Sequence, residues 1–243
     1  MNPELISAMD QIESTHFWYW AKRRLIRQLV FRYANVTSSL PTLLDVGCGT
    51  GRLMAELSAY AECVGVDVSL RAVQLAEAKN LKAKLGAATE LPFPNQTFDF
   101  VVISDVLEHI EDDRLVMSEI VRVLKPLGQV IITVPAHPFL YGTHDRALAH
   151  IRRYAEPELK NLINQAGLEL KKLTPTNMLL LLPALFQKLV ERPQRQGIRA
   201  GKLPSILNNV VRAWYSIENE VTARAGIPFG LSLLAVAQKN MEY

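Results

Sequence analysis

A glycine-rich loop between two apolar runs constrains the fold of this chain more than any other feature. Residues 43–46 form the first run and lead into the loop, residues 47–51, and sixteen residues after the loop a second run ends at Asp67. Short apolar runs without polar alternation are typical of strands covered on both faces of a parallel sheet. Glycines let the chain turn sharply and let a ligand approach the backbone closely. The pattern predicts a strand, a ligand-binding loop, a helix and a second strand.

Two acids define what this loop can hold. The glycines are spaced G-x-G-x-G, whereas dinucleotide-binding loops have G-x-G-x-x-G and place a pyrophosphate at a helix N-terminus. Asp45, just before the loop, would repel a pyrophosphate and attract an ammonium group. Asp67 lies at the usual distance to accept hydrogen bonds from ribose hydroxyls. An adenosine with a ribose and a cationic amino-acid tail is S-adenosylmethionine, which is the predicted cofactor.

The loop and its two acids resemble the first motif of the class I S-adenosylmethionine-dependent methyltransferases. The resemblance implies that the loop backbone cradles the methionine part of the cofactor and that Asp67 binds the ribose. The cofactor-binding residues expected around the loop are Asp45, Gly47, Cys48, Gly49, Thr50, Gly51, Asp67 and Val68. Cys48 is expected to fill space in the loop and not to act as a nucleophile.

A second stretch, residues 86–99, resembles the motif that holds adenine in the same family. The usual form has an acid directly after the glycine, and Ala87 stands at that position here. We therefore expect adenine to be contacted by the backbone at Ala87 and Ala88. Ser104 ends the next predicted strand and is expected to meet the cofactor.

The segment after Ser104 carries a candidate catalytic histidine. His109 could act as a general base near the reacting methyl group, or it could pack between loop and helix. The preceding Glu108 is expected to bond backbone groups at the start of the next helix.

Residues 135–154 form a polar cluster at the predicted rim of the pocket. His144 and Asp145 are candidates for proton transfer, because an Asp can fix the tautomer of a nearby His. The spacing of His137, His144 and His150 matches no familiar metal-ligand pattern, so we predict no metal.

The end of this cluster provides candidate substrate-binding residues. Arg152 and Arg153 suit a carboxylate or phosphate, and His150 and Tyr154 flank them. The alternative is a loop held together by its own ion pairs. The stretch is similar to one in bacterial methyltransferases of the type 11, ubiquinone-pathway-like group and in sequences associated with cell-surface glycan assembly, although Ala149 replaces a glycine.

The aromatic run at residues 16–20, with Arg23, resembles the N-terminal helix of the same group. The resemblance implies that Trp18 and Arg23 reach over the cofactor and that Arg23 pairs with its carboxylate. Since five consecutive large residues cannot all face one side of a helix, Phe17 and Tyr19 are expected in the core.

The alternation of strands and helices predicts an α/β fold with a doubly wound, seven-stranded, mostly parallel sheet. The predicted strands lie near residues 43–46, 63–67, 83–85, 98–104, 129–134, 168–173 and 231–237. The predicted helices lie near residues 5–33, 52–60, 69–79, 112–124, 156–166 and 205–225. We expect one domain over residues 1–243, divided into an N-terminal helical cap (1–40), a cofactor-binding core (41–174), a helical insertion (175–226) and a final strand (227–243). The cap and the insertion would cover the carboxyl ends of the strands, where ligands bind in such sheets.

Composition narrows the choice of partners and compartment. The chain has 243 residues, 49% of them hydrophobic and 21% charged, which indicates a globular protein. A net charge of +3 is too small to indicate nucleic acid as a partner. Two cysteines build no disulfide framework, and no apolar signal segment begins the sequence, so a cytoplasmic location is expected.

The longest apolar segment, residues 178–190, is shorter than the roughly 20 residues needed to cross a bilayer. We expect a buried helix. The alternative is a helix that lies on a membrane surface, which the neighbouring bases Lys188, Arg192 and Arg195 would favour. The protein would then associate peripherally with the inner face of the membrane.

These features predict a methyltransferase that acts on a small-molecule or lipid-linked acceptor, such as a quinone precursor or a glycan. Two alternatives remain. An NAD-dependent oxidoreductase is disfavoured by the loop spacing and by Asp45. A non-catalytic S-adenosylmethionine-binding module is disfavoured by the polar cluster at residues 135–154. The sequence makes no prediction of oligomeric state.

Overall fold

The structure, a computed structural model, describes residue 10 and residues 13–34, 40–190 and 205–241, apart from the side chains of residues 205 and 206. The strands are β1 (Thr42–Val46), β2 (Glu62–Asp67), β3 (Ala83–Leu85), β4 (Phe98–Ser104), β5 (Leu124–Pro135), β6 (Leu168–Thr176) and β7 (Ser232–Lys239). The helices are α1 (Phe17–Tyr33), α2 (Arg52–Leu57), α3 (Leu70–Glu77), α4 (Asp113–Val123), α5 (Thr143–Ala147), α6 (Glu156–Gln165), α7 (Met178–Val190) and α8 (Ser205–Arg224). Short 3₁₀ turns cover Leu107–His109 and Pro138–Leu140.

The strands form one seven-stranded sheet in the order β3-β2-β1-β4-β5-β7-β6. The pairs from β3 to β5 are parallel, and β7 is antiparallel to both β5 and β6. The predicted α/β fold with a mostly parallel seven-stranded sheet is confirmed. The strand order reverses between β1 and β4, so a crevice opens at their carboxyl ends, where such sheets bind ligands.

The sheet is covered on both faces, which explains why apolar residues of β1 point to both sides. Leu44 and Val46 pack on one face, in a core that also holds apolar residues of α4 and α6. Leu43 packs on the other face, against apolar residues of α1 and α2. All three side chains are at most 1% exposed. Burial of each stabilises the fold by about 1.5–3 kcal/mol.

Several element boundaries differ from the predicted ones. The expected helix over residues 5–33 breaks at His16, whose backbone is extended and whose Nδ1 accepts the N–H of Trp18, at 3.3 Å. The predicted stretch before residue 13 lies outside the described residues except for Asp10. Strand β5 begins at Leu124, directly after α4, because Leu124 already pairs with Phe98 before a bulge. Strand β6 runs on to Thr176 by pairing with β7, past the predicted end of the core at residue 174.

The apolar segment at residues 178–190 forms α7, but none of its side chains is buried. The prediction of a buried helix is therefore wrong. Leu180 packs partly against Phe17 and Tyr215, while the opposite side of the helix faces outward. Of the bases thought to flank it, Arg192 and Arg195 lie outside the described residues. No helix in the described ranges is long and apolar enough to cross a membrane.

Helix α8 packs against α1, which in turn covers one face of the sheet. Asn219 Nδ2 donates to the carbonyl of Ala21 at 2.7 Å, and the rings of Tyr215 and Phe17 stack at 5.7 Å between centroids. The two helices therefore pack against each other.

Candidate functional site

The glycine loop between β1 and α2 uses its own amide groups to hold its shape. The N–H groups of Gly47 and Cys48 both donate to the carbonyl of Val66, at 2.8 and 3.1 Å. The N–H of Gly49 donates to Asp67 Oδ2 at 2.9 Å. A loop that binds a pyrophosphate points such N–H groups at the phosphates. Because these three are already bonded within the protein, the loop is poorly suited to a dinucleotide.

Two of the loop glycines have different environments. Gly47 has a φ of +73°, and a Cβ there would lie 2.3 Å from Val106 Cγ2. Packing against Val106 therefore requires a glycine at this position. Gly49 has a φ of +53°, but no other heavy atom lies within 4 Å of where its Cβ would be. Gly49 therefore borders open space that a ligand can enter.

The side chains of Cys48 and Thr50 turn away from that space. Cys48 is buried, and a Cβ on Gly65 would lie only 2.6 Å from its sulfur, so Cys48 fills the gap behind the loop. Burial raises the pKa of its thiol far above the usual range. The hydroxyl of Thr50 donates to Asp10. Any contact of these residues with a cofactor would have to come from the backbone.

Asp10 bonds to residues in and beside the loop. Its carboxylate accepts hydrogen bonds from Arg52 Nη2 and Lys79 Nζ, both at 2.8 Å. Partial burial opposes ionisation, but these bonds together hold the pKa of Asp10 at about 2. Asp10 was not anticipated, because nothing in its sequence context indicated a partner so far along the chain.

Asp45 and Asp67 make the end of the loop acidic. Asp45 is 3% exposed. Burial, and then the nearby charge of Asp67, raise its pKa to about 7. Asp67 is half-buried, and its Oδ1 accepts the N–H of Ser69 at 2.8 Å while Oδ2 accepts that of Gly49. Each carboxylate oxygen can accept two bonds, so Asp67 retains capacity for ribose hydroxyls.

Next to Asp67 the structure presents apolar surface that suits a purine ring. Val68 is 74% exposed directly after the strand end. The N–H of Gly86 donates to the carbonyl of Asp67 at 3.0 Å, which brings the following Ala87 and Ala88 to the same edge. Ala88 is buried, and Ala87 forms a β-bridge with Glu90.

The basic group that reaches the carboxyl end of β4 is Lys22. Its Nζ donates to Asp105 Oδ2 at 2.6 Å and lies 4.5 Å from the ring centroid of Trp18. Arg23 is buried instead, with Nε donating to Glu56 Oε1 at 2.6 Å. Its Nη1 donates to the carbonyl of Glu13 at 3.1 Å, so two sides of the guanidinium are engaged within the protein. Sequence alone could not decide which of the consecutive bases faces the sheet. Phe17 is buried and Tyr19 half-buried.

Ser104 and Asp105 belong to a short polar chain beneath Lys22. Ser104 Oγ and Thr133 Oγ1 lie 2.8 Å apart, and Thr133 Oγ1 donates to Asp105 Oδ1 at 3.1 Å. The chain joins the ends of β4 and β5. It fixes the two strand ends relative to each other.

Asp145 is the centre of the rim cluster. Its carboxylate, 1% exposed, accepts the N–H of Gly142 at 2.9 Å, His150 Nδ1 at 3.1 Å and Arg153 Nε at 2.8 Å. Burial opposes ionisation, but the bonds to His150 and Arg153 hold the pKa of Asp145 at about 2. Asp145 therefore orients His150. The neighbouring His144, the other candidate for proton transfer, is exposed on α5.

The other rim residues also bond within the protein. Arg152 Nη1 donates to Asp113 Oδ2 at 3.0 Å, and its Nη2 donates to the carbonyl of Glu111 at 2.8 Å. Tyr154 is 3% exposed, and its hydroxyl donates to Asp113 Oδ2 at 2.8 Å. The expected placement of Tyr154 at the rim of the pocket is wrong, because its ring packs in the core. The ion pairs of Arg152 and Arg153 agree with the alternative of a loop held by its own charges.

Glu108 differs from its expected role. Its side chain is fully buried, and neither carboxylate oxygen has a hydrogen-bond partner. The expected bonds to backbone groups of the next helix are not formed. Burial raises the pKa of this carboxyl, and the backbone group that acts against this larger effect is its own N–H, which lowers the pKa. His109 is exposed, and its Nδ1 lies 3.1 Å from the carbonyl oxygen of Ala149. Its ring lies 4.8 Å from that of His150 between centroids.

Comparison with known sequences supports the resemblance. Residues 44–132 match a family model described as a methyltransferase domain. A demethylmenaquinone methyltransferase from Bacillus licheniformis is 38% identical over 110 residues, which are 42% of this chain and 47% of that protein. Another from Symbiobacterium thermophilum is 34% identical over 148 residues, 56% of this chain and 57% of that protein. The chain thus spans about half the length of the curated relatives it matches.

Solved structures extend the likeness to the whole fold. An S-adenosylmethionine-dependent methyltransferase from Thermotoga maritima superposes with a TM-score of 0.63 at 17% identity, covering 98% of each chain. The cyclase SpnF superposes with a TM-score of 0.62 at 23% identity, covering 93% of this chain and 83% of that chain. Since the same fold is found in a cyclase, the reaction has to be argued from the site.

Proposed function

We propose that this chain, whose residues 44–132 match a methyltransferase domain, is a class I methyltransferase that transfers the methyl group of S-adenosylmethionine to a small-molecule or lipid-linked acceptor. The observation that carries the proposal is the glycine loop. Its amide groups are bonded within the protein, its end is acidic, and Gly49 borders open space. These features suit a cationic tail and disfavour a pyrophosphate.

The residues around the loop suit the parts of this cofactor. Asp67 has the capacity to accept the ribose hydroxyls, and ionised Asp45 would attract the ammonium group. Val68 offers apolar surface to adenine, and the backbone at Ala87 and Ala88 runs along the same edge. When bound, the cofactor supplies an activated methyl group on a sulfonium.

The protein's main task is then to position the acceptor in line with that methyl group. A base is needed only where the acceptor is a hydroxyl or a similar protonated group. His109 is the exposed candidate after β4, and its Nδ1 lies 3.1 Å from the carbonyl oxygen of Ala149. His144 and Asp145 were proposed for proton transfer as well. Asp145, however, is held by three internal bonds, so we assign it to positioning.

For the acceptor we propose an amphiphile, such as a quinone precursor or a lipid-linked sugar. Two relatives are named demethylmenaquinone methyltransferase. The outward side of α7 also exposes large apolar side chains, with Leu182 at 74%, Phe186 at 67% and Leu189 at 85%. A surface of this kind suits contact with lipid. We therefore propose a cytoplasmic protein that can associate with the inner face of the membrane.

Methyl-labelled S-adenosylmethionine incubated with cell extract tests the proposal. The products are separated into lipid, glycan, protein and small-molecule fractions, with the Asp67→Ala variant as the inactive control. We expect wild-type-dependent label in the lipid or small-molecule fraction. Cofactor binding without label in any fraction would favour a non-catalytic binding module instead.

A further inference from the structure

The carboxylate of Glu108 is in an unusual position for a buried acid. It lies in the 3₁₀ turn after β4, is 0% exposed, and both of its oxygens lack a hydrogen-bond partner. Leaving such a group buried and unpaired is costly, so most buried polar groups have partners. This deficit leaves both oxygens of Glu108 available to a ligand.

A histidine from the rim cluster points at this carboxylate. Nε2 of His150 lies 3.9 Å from Glu108 Oε1. Its other nitrogen, Nδ1, bonds to Asp145 Oδ1 at 3.1 Å. Because Asp145 stays ionised and can only accept, the proton of His150 sits on Nδ1. Nε2 therefore carries a lone pair directed towards Glu108.

His109 is arranged in the same way. Its Nδ1 lies 3.1 Å from the carbonyl oxygen of Ala149, which also can only accept. The proton is therefore on Nδ1, and Nε2 is left as an acceptor. Histidines that ligate metals almost always donate their second N–H to a carboxylate or to a backbone carbonyl. Both arrangements occur here, side by side.

We propose that Glu108, His109 and His150 form a binding site for a divalent transition-metal cation. One potential ligand atom from each residue lies within 4.8 Å of the others. Tetrahedral ligands about 2.1 Å from a zinc ion would be about 3.4 Å apart, so binding would draw the most distant pair together by up to about 1.4 Å. The exposed edge of His109 leaves a side open for the ion to enter and for a further ligand to bind.

The surrounding structure holds the two ligand-bearing segments together. The N–H of Ile151 donates to the carbonyl of Glu108 at 2.8 Å, which fixes the turn after β4 against the rim loop. Arg153 bonds to Asp145 and so holds the residue that orients His150.

The ligand set favours one class of ion. Two imidazole nitrogens and one carboxylate suit zinc, cobalt, manganese or iron(II) better than magnesium, which prefers oxygen ligands. The spacing of the histidines along the chain gave no sign of this site, because His109 and His150 are brought together only by the fold. The site's existence does not depend on methyl transfer. Its purpose rests on the proposed function: the ion would bind an acceptor oxygen and make it a better nucleophile.

Calorimetric titration of the metal-stripped full chain with Zn²⁺ tests the site without any cofactor. Co²⁺, whose absorption reports nitrogen ligands and coordination number, serves as a second probe. We expect one ion per chain, with affinity reduced at least tenfold in His109→Ala, His150→Asn and Glu108→Gln. Asp145→Asn should weaken binding by about 10- to 100-fold, because it removes the group that orients His150.

The matched control is His137→Asn, which removes a histidine of the same region whose Nε2 bonds to the carbonyl of Gly230. This variant should bind the ions like the wild type. Since Glu108 is buried, His109→Ala, at an exposed position, keeps the test valid if Glu108→Gln does not fold. No Zn²⁺ binding by the wild type, or equal binding by His109→Ala and wild type, would overturn the proposal. Neither result would bear on methyl transfer, which is assayed separately.

Discussion

Asp67 Oδ2 accepts the backbone N–H of Gly49 at 2.9 Å, which ties the glycine loop to the end of β2. The same carboxylate caps the start of α3 by accepting the N–H of Ser69. One side chain thus fixes the loop, the strand end and the following helix. It also retains lone pairs towards the open space beside Gly49. Loop shape and ribose binding therefore depend on the same residue.

Replacing Asp67 should weaken cofactor binding strongly. We expect Asp67→Ala to bind S-adenosylhomocysteine about 10- to 100-fold more weakly, since hydrogen bonds to a charged group contribute about 1.5–3 kcal/mol. Calorimetry measures the affinity. Asp99→Ala is a matched control, because Asp99, like Asp67, accepts a backbone N–H. Asp99 pairs with a lysine and lies at the amino end of β4, at the opposite edge of the sheet from the loop. An equal loss of affinity in both variants would point to general destabilisation.

The raised pKa of Asp45 makes cofactor affinity depend on pH. Burial first, and Asp67 second, raise that pKa to about 7, and the bound ammonium group favours the ionised form. Below pH 7, binding must release a proton, so affinity should rise by up to about tenfold per pH unit and level off above. Titrations at pH 6, 7 and 8 measure this, and Asp45→Asn should bind weakly with a flat profile. A steep profile in Asp45→Asn would assign the titration to another group.

Asp45 should also lower the free energy of unfolding at high pH. The folded pKa of Asp45 lies above its unfolded value of 3.8, so its stabilising contribution is lost as pH rises towards about 7. Asp45→Asn should therefore raise the free energy of unfolding at pH 8 by on the order of 2–4 kcal/mol, and by less at pH 5. Urea unfolding at the two pH values measures the difference. A variant less stable than wild type at pH 8 would contradict it.

Asp145 should have the opposite dependence. Although burial opposes it, the bonds to His150 and Arg153 hold its pKa at about 2 instead of 3.8. The resulting stability, of the order of 2 kcal/mol, is present above pH 4 and is lost as pH falls through about 2. Asp145→Asn should thus be less stable than wild type at pH 6, with the gap narrowing at pH 3. Urea unfolding at both values measures it, and a constant gap would rule out this linkage.

The exposed side of α7 should bind anionic membranes. We expect Leu182→Glu and Leu189→Glu to reduce flotation of the protein with anionic liposomes, because each introduces a charge into exposed apolar surface. Leu70→Glu is the control, since Leu70 is 56% exposed at the start of α3. It adds the same charge elsewhere. Absence of flotation by the wild type would contradict membrane binding by α7.

The sheet could be predicted from sequence because each strand has its own local signal. The apolar run of β1 is buried, as its pattern indicates. The apolar run of β2 ends at Asp67, at the carboxyl edge of the sheet. Helix α7 could not be predicted to be exposed, because a strongly apolar helix reads as buried. Only the fold shows that it has no further element above it in the described residues.

The site could be predicted in part, for a related physical reason. The loop and its acids are contiguous motifs, so their roles follow from spacing. Contacts that join distant segments, such as Lys22 with Asp105 or His150 with Glu108, have no local signature. A side chain such as Arg23 can pair inward or outward, and packing around Glu56 decides which.

The most direct test of the central claim is calorimetry with S-adenosylhomocysteine and with NAD⁺ on the wild type, Gly49→Arg and Gly167→Arg. Gly167 is the matched control, because it also has a positive φ and open space around its would-be Cβ, but it follows α6 away from the loop. We expect wild type and Gly167→Arg to bind S-adenosylhomocysteine and not NAD⁺. We expect Gly49→Arg to fold and to bind neither. Binding of NAD⁺ in preference to S-adenosylhomocysteine, or undiminished binding by folded Gly49→Arg, would contradict this claim.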